Sequence, residues 1–241
     1  NVVPIATGRR LLDGIAANGG LLEDHGQAVY DLEAAMALPG RHNWQNAAAA
    51  YATTKTAGVQ PHAIMACIQS YPGLVHRQEP VALVDGIGYV NDSKATNADA
   101  ANRALACYDA VYWIVGGRPK DGGLKAVEPN LDRVRHAFLI GEAAMEFSQF
   151  LDGRVPMTLS GDLKAALGDA RKQAKKDKVP GAVVLLSPAC ASFDQFDNFE
   201  ARGDAFRDMV EALPGKILDP FDETGVFPSA MGIGNDGEGP P

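Results

Sequence analysis

The stretch NDSKATNADA at 91–100 places Asp92, Ser93, Lys94 and Thr96 directly after GYV, an apolar run that reads as a strand. Singly, these residue types are ordinary at a helix start, where Asp, Ser, Thr and Asn cap free backbone N–H groups. Two other loops repeat the chemistry. AVYWIV at 110–115 is followed by Gly116-Gly117-Arg118-Pro119-Lys120-Asp121-Gly122-Gly123, and AVVLL at 182–186 by Ser187-Pro188-Ala189-Cys190-Ala191-Ser192-Phe193-Asp194. In open α/β sheets ligands bind beyond the C-terminal ends of the strands. If these runs share one parallel sheet, Lys94, Arg118, Lys120 and the hydroxyls of Thr96, Ser187 and Ser192 meet along a single edge. That set suits an anionic ligand bearing carboxylate or phosphate.

Each signal has a plainer reading beside it. The spacing GG-x-x-K is not a nucleotide-binding phosphate loop, and glycine pairs after a strand commonly form turns. Cys190 reads as a small buried packing residue, because a reactive thiolate needs an activating partner and no His lies close in the sequence. Ser192 and Thr96 fit helix caps as well as ligands. A second constellation lies in PGRHNWQN at 39–46: Asn43 and Asn46, three apart, share a helix face, with His42 one turn before Asn46. Asn43 fits an N-cap, and the two amides also fit the edge of an adenine ring. In GLVHRQE at 73–79, Arg77 fits a surface ion pair or a guanidinium reaching a phosphate.

The elements that must position these loops follow from periodicity. Residues 1–40 read as small antiparallel strands around the turn residues Asp24-His25-Gly26. A helix runs from about 43 to Gly58, and a shorter one opens at Pro61, a residue suited to a first helical turn. Tyr71-Pro72-Gly73 marks a boundary. Beyond it VALVD and GYV form a hairpin around Gly86-Ile87-Gly88. Strands at 110–115, 136–140, 156–159 and 182–186 then alternate with helix-length segments at 97–107, 124–134, 142–151, 162–177 and 198–212. This alternation predicts an α/β fold: a Rossmann-like, mostly parallel sheet with an antiparallel hairpin, covered on both faces. The domains expected are 1–72, 73–213 and an irregular Gly, Pro and Asp-rich tail at 214–241.

Bulk properties narrow the function classes. A chain of 241 residues can bury roughly 70% of its unfolded surface. Its formal net charge of −8 argues against nucleic acid as a partner, since phosphate affinity comes from clustered Lys and Arg. The one basic cluster, RKQAKKDK at 171–178, suits the negative pole of a helix C-terminus. No apolar run approaches the roughly 20 residues of a membrane span. Three scattered cysteines suggest neither disulfides nor a zinc site and point to a reducing, cytoplasmic setting.

Taken in order, PGRHNWQNAAAAYA, GLVHRQE, YVNDSKATN, GGRPKDGG and LLSPACASFDQFDNFEARGDAF resemble the successive signatures of the Mur ligase family of peptidoglycan synthesis, specifically its D-glutamate-adding branch. The resemblance spans about residues 39–213. It implies that residues 1–72 are the C-terminal part of a central P-loop-type ATPase domain and 73–213 a Rossmann-like amino-acid-binding domain. The implied ATP contacts are His42, Asn43, Asn46, Arg77 and Asp92, with adenine at the two Asn, phosphates at Arg77 and ribose hydroxyls at Asp92. Lys94 and Arg77 are the implied catalytic cations. Thr96 and Lys120 would hold the α-carboxylate of D-glutamate. Ser192 and the backbone near Phe199 would hold its side-chain carboxylate, with Phe193 lining the pocket.

The implied reaction is ATP-dependent amide ligation of D-glutamate to UDP-MurNAc-L-alanine through an acyl phosphate. Its partners are small molecules only, with ATP and Mg²⁺ as cofactors and a monomer expected. The family's glycine-rich loop ending in Gly-Lys-Ser or Gly-Lys-Thr, and its Glu, His and carbamylated Lys at the metals, do not occur in this sequence. The Mg²⁺ ligands are therefore expected upstream of Asn1, and these residues are expected to be inactive alone. The alternative is a non-catalytic module that binds a nucleotide or a dicarboxylic amino acid.

Overall fold

A computed structural model describes residues 2–35, 37–219 and 227–228. Among these, the chain up to Pro72 forms one compact unit and the chain from Gly73 another.

In the first unit, strands β1 (Ile5–Thr7), β2 (Ile15–Asn18), β3 (Leu21–Asp24) and β4 (Gln27–Asp31) form one sheet in that order. The three later strands pair antiparallel, as the turn residues predict, but β1 runs parallel to β2, with Ile5 opposite Ile15. The excursion over residues 8–14 is longer than a two-residue hairpin and returns the chain to the end of the strand where it began. Helices α1 (Arg41–Thr56) and α2 (Pro61–Gln69) complete the unit. The core joins Ile15, Ala17 and Leu22 of the sheet to Ala47, Ala48 and Tyr51 of α1 and Ile64 of α2. The alanine run of α1 lets its backbone approach the sheet closely, and Tyr51 spends its one polar group on Asp24, 2.8 Å away.

The second unit is built on a seven-stranded sheet. Its elements are β5 (Glu79–Val84), β6 (Ile87–Asn91), α3 (Ala98–Leu105), β7 (Ala110–Gly116), β8 (Val134–Ile140), α4 (Ala144–Leu151), β9 (Met157–Gly161), α5 (Leu163–Asp177), β10 (Ala182–Leu186), α6 (Phe199–Glu211) and β11 (Ile217–Leu218). The strand order is β11-β5-β6-β10-β7-β8-β9, with β6, β10, β7, β8 and β9 parallel and the β5 and β11 edge antiparallel. Every residue of β7 is buried, as a strand covered on both faces requires. Its alternation sorts the core. Val111, Trp113 and Val115 pack with Ala101 and Leu105 of α3 and Phe147 of α4, whereas Tyr112 and Ile114 pack with Leu167 of α5 and Phe206 of α6.

Two expectations need correction here. The segment 124–134 is a 3-10 helix over Lys125–Arg133, not an α-helix: Pro129 lacks an N–H and Asn130 leaves helical geometry at φ −124°. The expected irregular tail also contributes structure, because Ile217 and Leu218 pair with Val84 and Leu83. Residues 220–226 and 229–241 of that tail lie outside the described residues.

Candidate functional site

Strand register decides where the polar loops emerge. Asn91, the last residue of β6, lies opposite Leu186, the last of β10; Leu186 lies opposite Ile114 of β7; and Gly116 lies opposite Ile140, the last of β8. The loops after β6, β7 and β10 therefore leave one edge of the sheet, with β10 between β6 and β7. This is a point where the strand order reverses, the usual place for a ligand crevice.

The loop after β6 is fixed by its own residues. Asp92 is buried; its Oδ2 accepts from Ser187 Oγ at 2.9 Å and its Oδ1 from the Gln78 N–H at 3.2 Å. Burial pushes its carboxyl up to about 7, although both hydrogen bonds and the charge of Arg77 pull the other way. Ser93 Oγ donates to the Phe199 carbonyl at 2.8 Å, tying this loop to the first turn of α6. Lys94 is exposed and holds its Nζ 3.7 Å from the centre of the Phe199 ring, a cation–π contact. Asn97 caps α3 by accepting from the Ala100 N–H at 2.9 Å.

Lys120 extends from the loop after β7, and its Nζ donates to Thr96 Oγ1 at 3.4 Å. The glycine pair that opens this loop is demanded by crowding rather than by a turn alone. A Cβ on Gly116 would sit 2.0 Å from the Ile140 carbonyl oxygen, and one on Gly117 2.4 Å from that of Ala191. The approach lets Arg118 and Ala191 exchange backbone hydrogen bonds of 2.9 and 3.1 Å, stitching the loops after β7 and β10 together.

Ser192 is buried just beyond that stitch, its carbonyl accepting from the Gln195 and Phe196 N–H groups at 3.0 and 2.8 Å. Phe193 beside it is a 61% exposed apolar ring. Phe199 begins α6 behind Asn198, which caps the helix by accepting from the Ala201 N–H at 2.7 Å. Arg77 is exposed, with its backbone N–H on the Leu74 carbonyl at 3.1 Å.

Not every grouped residue stays available. Arg118, counted among the convergent cations, is held by Glu142 through Nε and Nη2 at 3.2 and 3.1 Å and is removed from the set. Cys190 is fully buried and its thiol is pushed up to about 12 by that burial, as a packing residue should be. Lys94, Thr96 and Lys120 remain at the rim with Ser192, Phe193 and Phe199 on the loop and helix that follow β10.

In the first unit, His42, Asn43 and Asn46 all lie in the opening turns of α1. Gly40, at φ 85°, is the N-cap, so the capping reading of Asn43 does not hold; its amide donates instead to the Pro39 carbonyl at 2.8 Å. Asn46 is exposed.

Three residues at this edge carry no signal in a single sequence. His76 is buried, its Nδ1 3.0 Å from Asn91 Nδ2 and its ring edge-on to Phe199 with centroids 6.1 Å apart. Gly203 makes room for it, since a Cβ there would fall 2.2 Å from His76 Nδ1. Arg202 is buried against Ser93 and Cys190. Among the described residues no group of three His, Cys, Asp or Glu could hold a metal ion, and no helix is long and apolar enough to cross a membrane.

Comparison with known proteins now bears on this edge. The chain is 52% identical over 212 residues to UDP-N-acetylmuramoylalanine--D-glutamate ligase of Paramagnetospirillum magneticum, a match covering 88% of this chain. It is a homologue of the D-glutamate ligases. The enzyme of the same name from Rhodospirillum rubrum is 53% identical over 216 residues, again 88% of this chain. The chain spans under half the length of these relatives, 46% and 45%. No protein-family model matches it. Among solved structures, UDP-N-acetylmuramate-alanine ligase from Thermotoga maritima superposes with a TM-score of 0.47 at 12% identity, covering 80% of this chain and 42% of that one, a likeness too slight to build on.

Proposed function

We propose that this chain is the C-terminal half of a D-glutamate-adding Mur ligase and supplies its D-glutamate site and part of its ATP site. The observation that carries this reading is the pairing of Thr96 and Lys120 across 3.4 Å, from two loops leaving one sheet edge, with buried Ser192 on the loop stitched to that of Lys120. A dicarboxylic amino acid needs two separated grips. Lys120 and Thr96 hold the α-carboxylate, Ser192 and the backbone around Phe199 the side-chain carboxylate, and Phe193 covers the methylenes between.

Nucleotide contacts are assigned within each unit by itself. In the second, Arg77 is the residue for the phosphates and Asp92 the residue for the ribose hydroxyls, which compete with Ser187 and the Gln78 N–H for its buried carboxylate. In the first, His42, Asn43 and Asn46 are the residues for the adenine. Lys94 is the cation for charge developing on the phosphate and the reacting carbonyl, and its seat on the Phe199 ring keeps it extended without neutralising it. Among the described residues no group of three His, Cys, Asp or Glu could hold a metal ion, and no step is assigned to Mg²⁺. In the complete protein, ATP phosphorylates the alanyl carboxylate of UDP-MurNAc-L-alanine. The D-glutamate amine then attacks the acyl phosphate, and the tetrahedral intermediate expels phosphate.

Lys120→Ala in a complete enzyme tests the assignment. Loss of a charge-assisted hydrogen bond raises the KM for D-glutamate by about tenfold or more and leaves that for ATP within about twofold. Equal effects on both would remove Lys120 from the amino-acid site. Because these 241 residues contain no Gly-Lys-Ser or Gly-Lys-Thr, the chain alone releases no phosphate above background when given ATP, D-glutamate and UDP-MurNAc-L-alanine. Turnover would contradict that reading.

A further inference from the structure

Arg202 is 1% exposed, yet among the described residues its guanidinium meets no carboxylate. Its acceptors are all neutral: Ser93 Oγ at 3.0 Å from Nε, the Ser93 carbonyl at 2.9 Å from Nη2, and the Cys190 carbonyl at 3.1 Å from the same nitrogen. Nη1 is buried with no hydrogen-bond partner among the described residues. Burial lowers the guanidinium to about 10, so it remains a cation at neutral pH. The charge of Asp194 acts on it from beyond ion-pair distance, but no ion pair offsets the cost of its burial, and apolar side chains commonly replace buried ion pairs without loss of stability. Stability alone does not explain it.

Geometry does. Ser93 belongs to the loop that carries Lys94 and Thr96, Cys190 to the loop that carries Ser192, and Arg202 projects from the first turns of α6, whose opening carbonyl at Phe199 also receives the Ser93 hydroxyl. We propose that Arg202 is a positioning residue, a three-pronged staple that fixes the spacing between the two loops gripping opposite carboxylates of the amino acid. This rests on the D-glutamate reading above. Nη2 alone bonds a carbonyl on each loop, and Nε on the same planar edge bonds the Ser93 hydroxyl, an arrangement that a lysine ammonium, with no second nitrogen held in that plane, does not reproduce. The grip needs such fixing, because two carboxylate subsites on separate loops lose their complementarity if the loops drift by about 1 Å.

The test compares the 241-residue chain with its Arg202→Met, Arg202→Lys and Ser93→Ala variants and the Ser93→Ala/Arg202→Met pair. Amide hydrogen exchange is followed by mass spectrometry, and D-glutamate binding by equilibrium dialysis. Arg202→Met fills the same buried space. It is expected to leave exchange in β7 and β8 unchanged while peptides covering 91–97 and 187–198 lose protection together, and to weaken D-glutamate binding about tenfold. Arg202→Lys does not rescue it. Adding Ser93→Ala costs less than the two single changes summed, since both break one linkage.

The staple is overturned if the two loops keep their protection in Arg202→Met, if D-glutamate binds as in the parent, or if lysine restores both. Should Arg202→Met unfold, Ser93→Ala alone decides by the same two measurements. Absence of D-glutamate binding by the parent chain would instead refute the D-glutamate reading, and the exchange arm would still judge the staple.

Discussion

Asp92 gives stability an unusual pH dependence. Its carboxyl is raised from 3.8 to about 7, chiefly by burial, so the folded chain keeps a proton there that the unfolded chain has already released. Between about pH 4 and pH 7 the native state therefore binds more protons than the unfolded one, and stability falls as pH rises through that window. Above about 7 both states are ionised and the fall stops. A shift of about three units at about 1.4 kcal/mol each puts the penalty at pH 8 at up to about 4 kcal/mol.

Asp92→Asn removes the proton while keeping the shape. Its Oδ1 still accepts from the Gln78 N–H, and its amide donates to the Ser187 hydroxyl, which turns to accept. Urea melts at pH 5, 6, 7 and 8 in a Trp44→Phe background check this. There the remaining indole is Trp113, buried in β7 with its Nε1 2.8 Å from the Ser187 carbonyl, a reporter beside the site. The stability of the Asn variant minus that of the parent is expected to be small at pH 5 and to grow toward about 4 kcal/mol by pH 8. A difference that is flat or shrinks with rising pH would refute the burial argument, because a carboxylate stabilised as an anion gives the opposite slope.

Asp24 in the first unit supplies that opposite slope. Burial pushes its carboxyl up, but hydrogen bonds from Lys55, His25 and Tyr51 outweigh it and hold the group below 3.8, so its contribution is present above about pH 4 and lost as pH falls further. Asp24→Asn is expected to cost about 1–3 kcal/mol at pH 7, read from melts of the first unit through Trp44 fluorescence, and to leave an acid limb shallower than the parent's. Gly203→Ala places a methyl 2.2 Å from His76 Nδ1 and must displace that ring; overpacking of this kind costs about 1–3 kcal/mol, and unchanged urea melts would mean the helix shifts freely instead.

The sheet was readable because its determinants are local. Short apolar runs, buried at every residue in β6, β7 and β10, separated by helix-length segments and followed by polar loops, leave few other packings, and AVYWIV reads as a central strand from composition alone. The segment at 124–134 misled for the same local reason: its apolar spacing mimics an α-helix, and only Pro129 marks the tighter 3-10 path. Pairing direction in the first unit was not local either, since nothing in Gly8–Gly14 states that the chain returns to the start of β1.

At the rim, sequence gave residue types and register gave their meeting, but charge balance came only from tertiary contact. Arg118 and Lys120 look alike two positions apart. Glu142, from the loop after β8, neutralises the first, and the second is left facing Thr96 because Gly117 lets its loop pass close under Ala191. Arg202 is the converse case. In FEARGDAF it reads as one more solvated helix cation, yet α6 turns it inward under Ser93 and Cys190. A binding edge made of loops from distant strands cannot hold its spacing by strand hydrogen bonds, which end at Asn91 and Leu186. Something must tie the loops beyond that point. Here the tie is an exchange of backbone hydrogen bonds between the loops after β7 and β10 and a buried guanidinium between those after β6 and β10, so the cations left for ligand are those the scaffold does not consume.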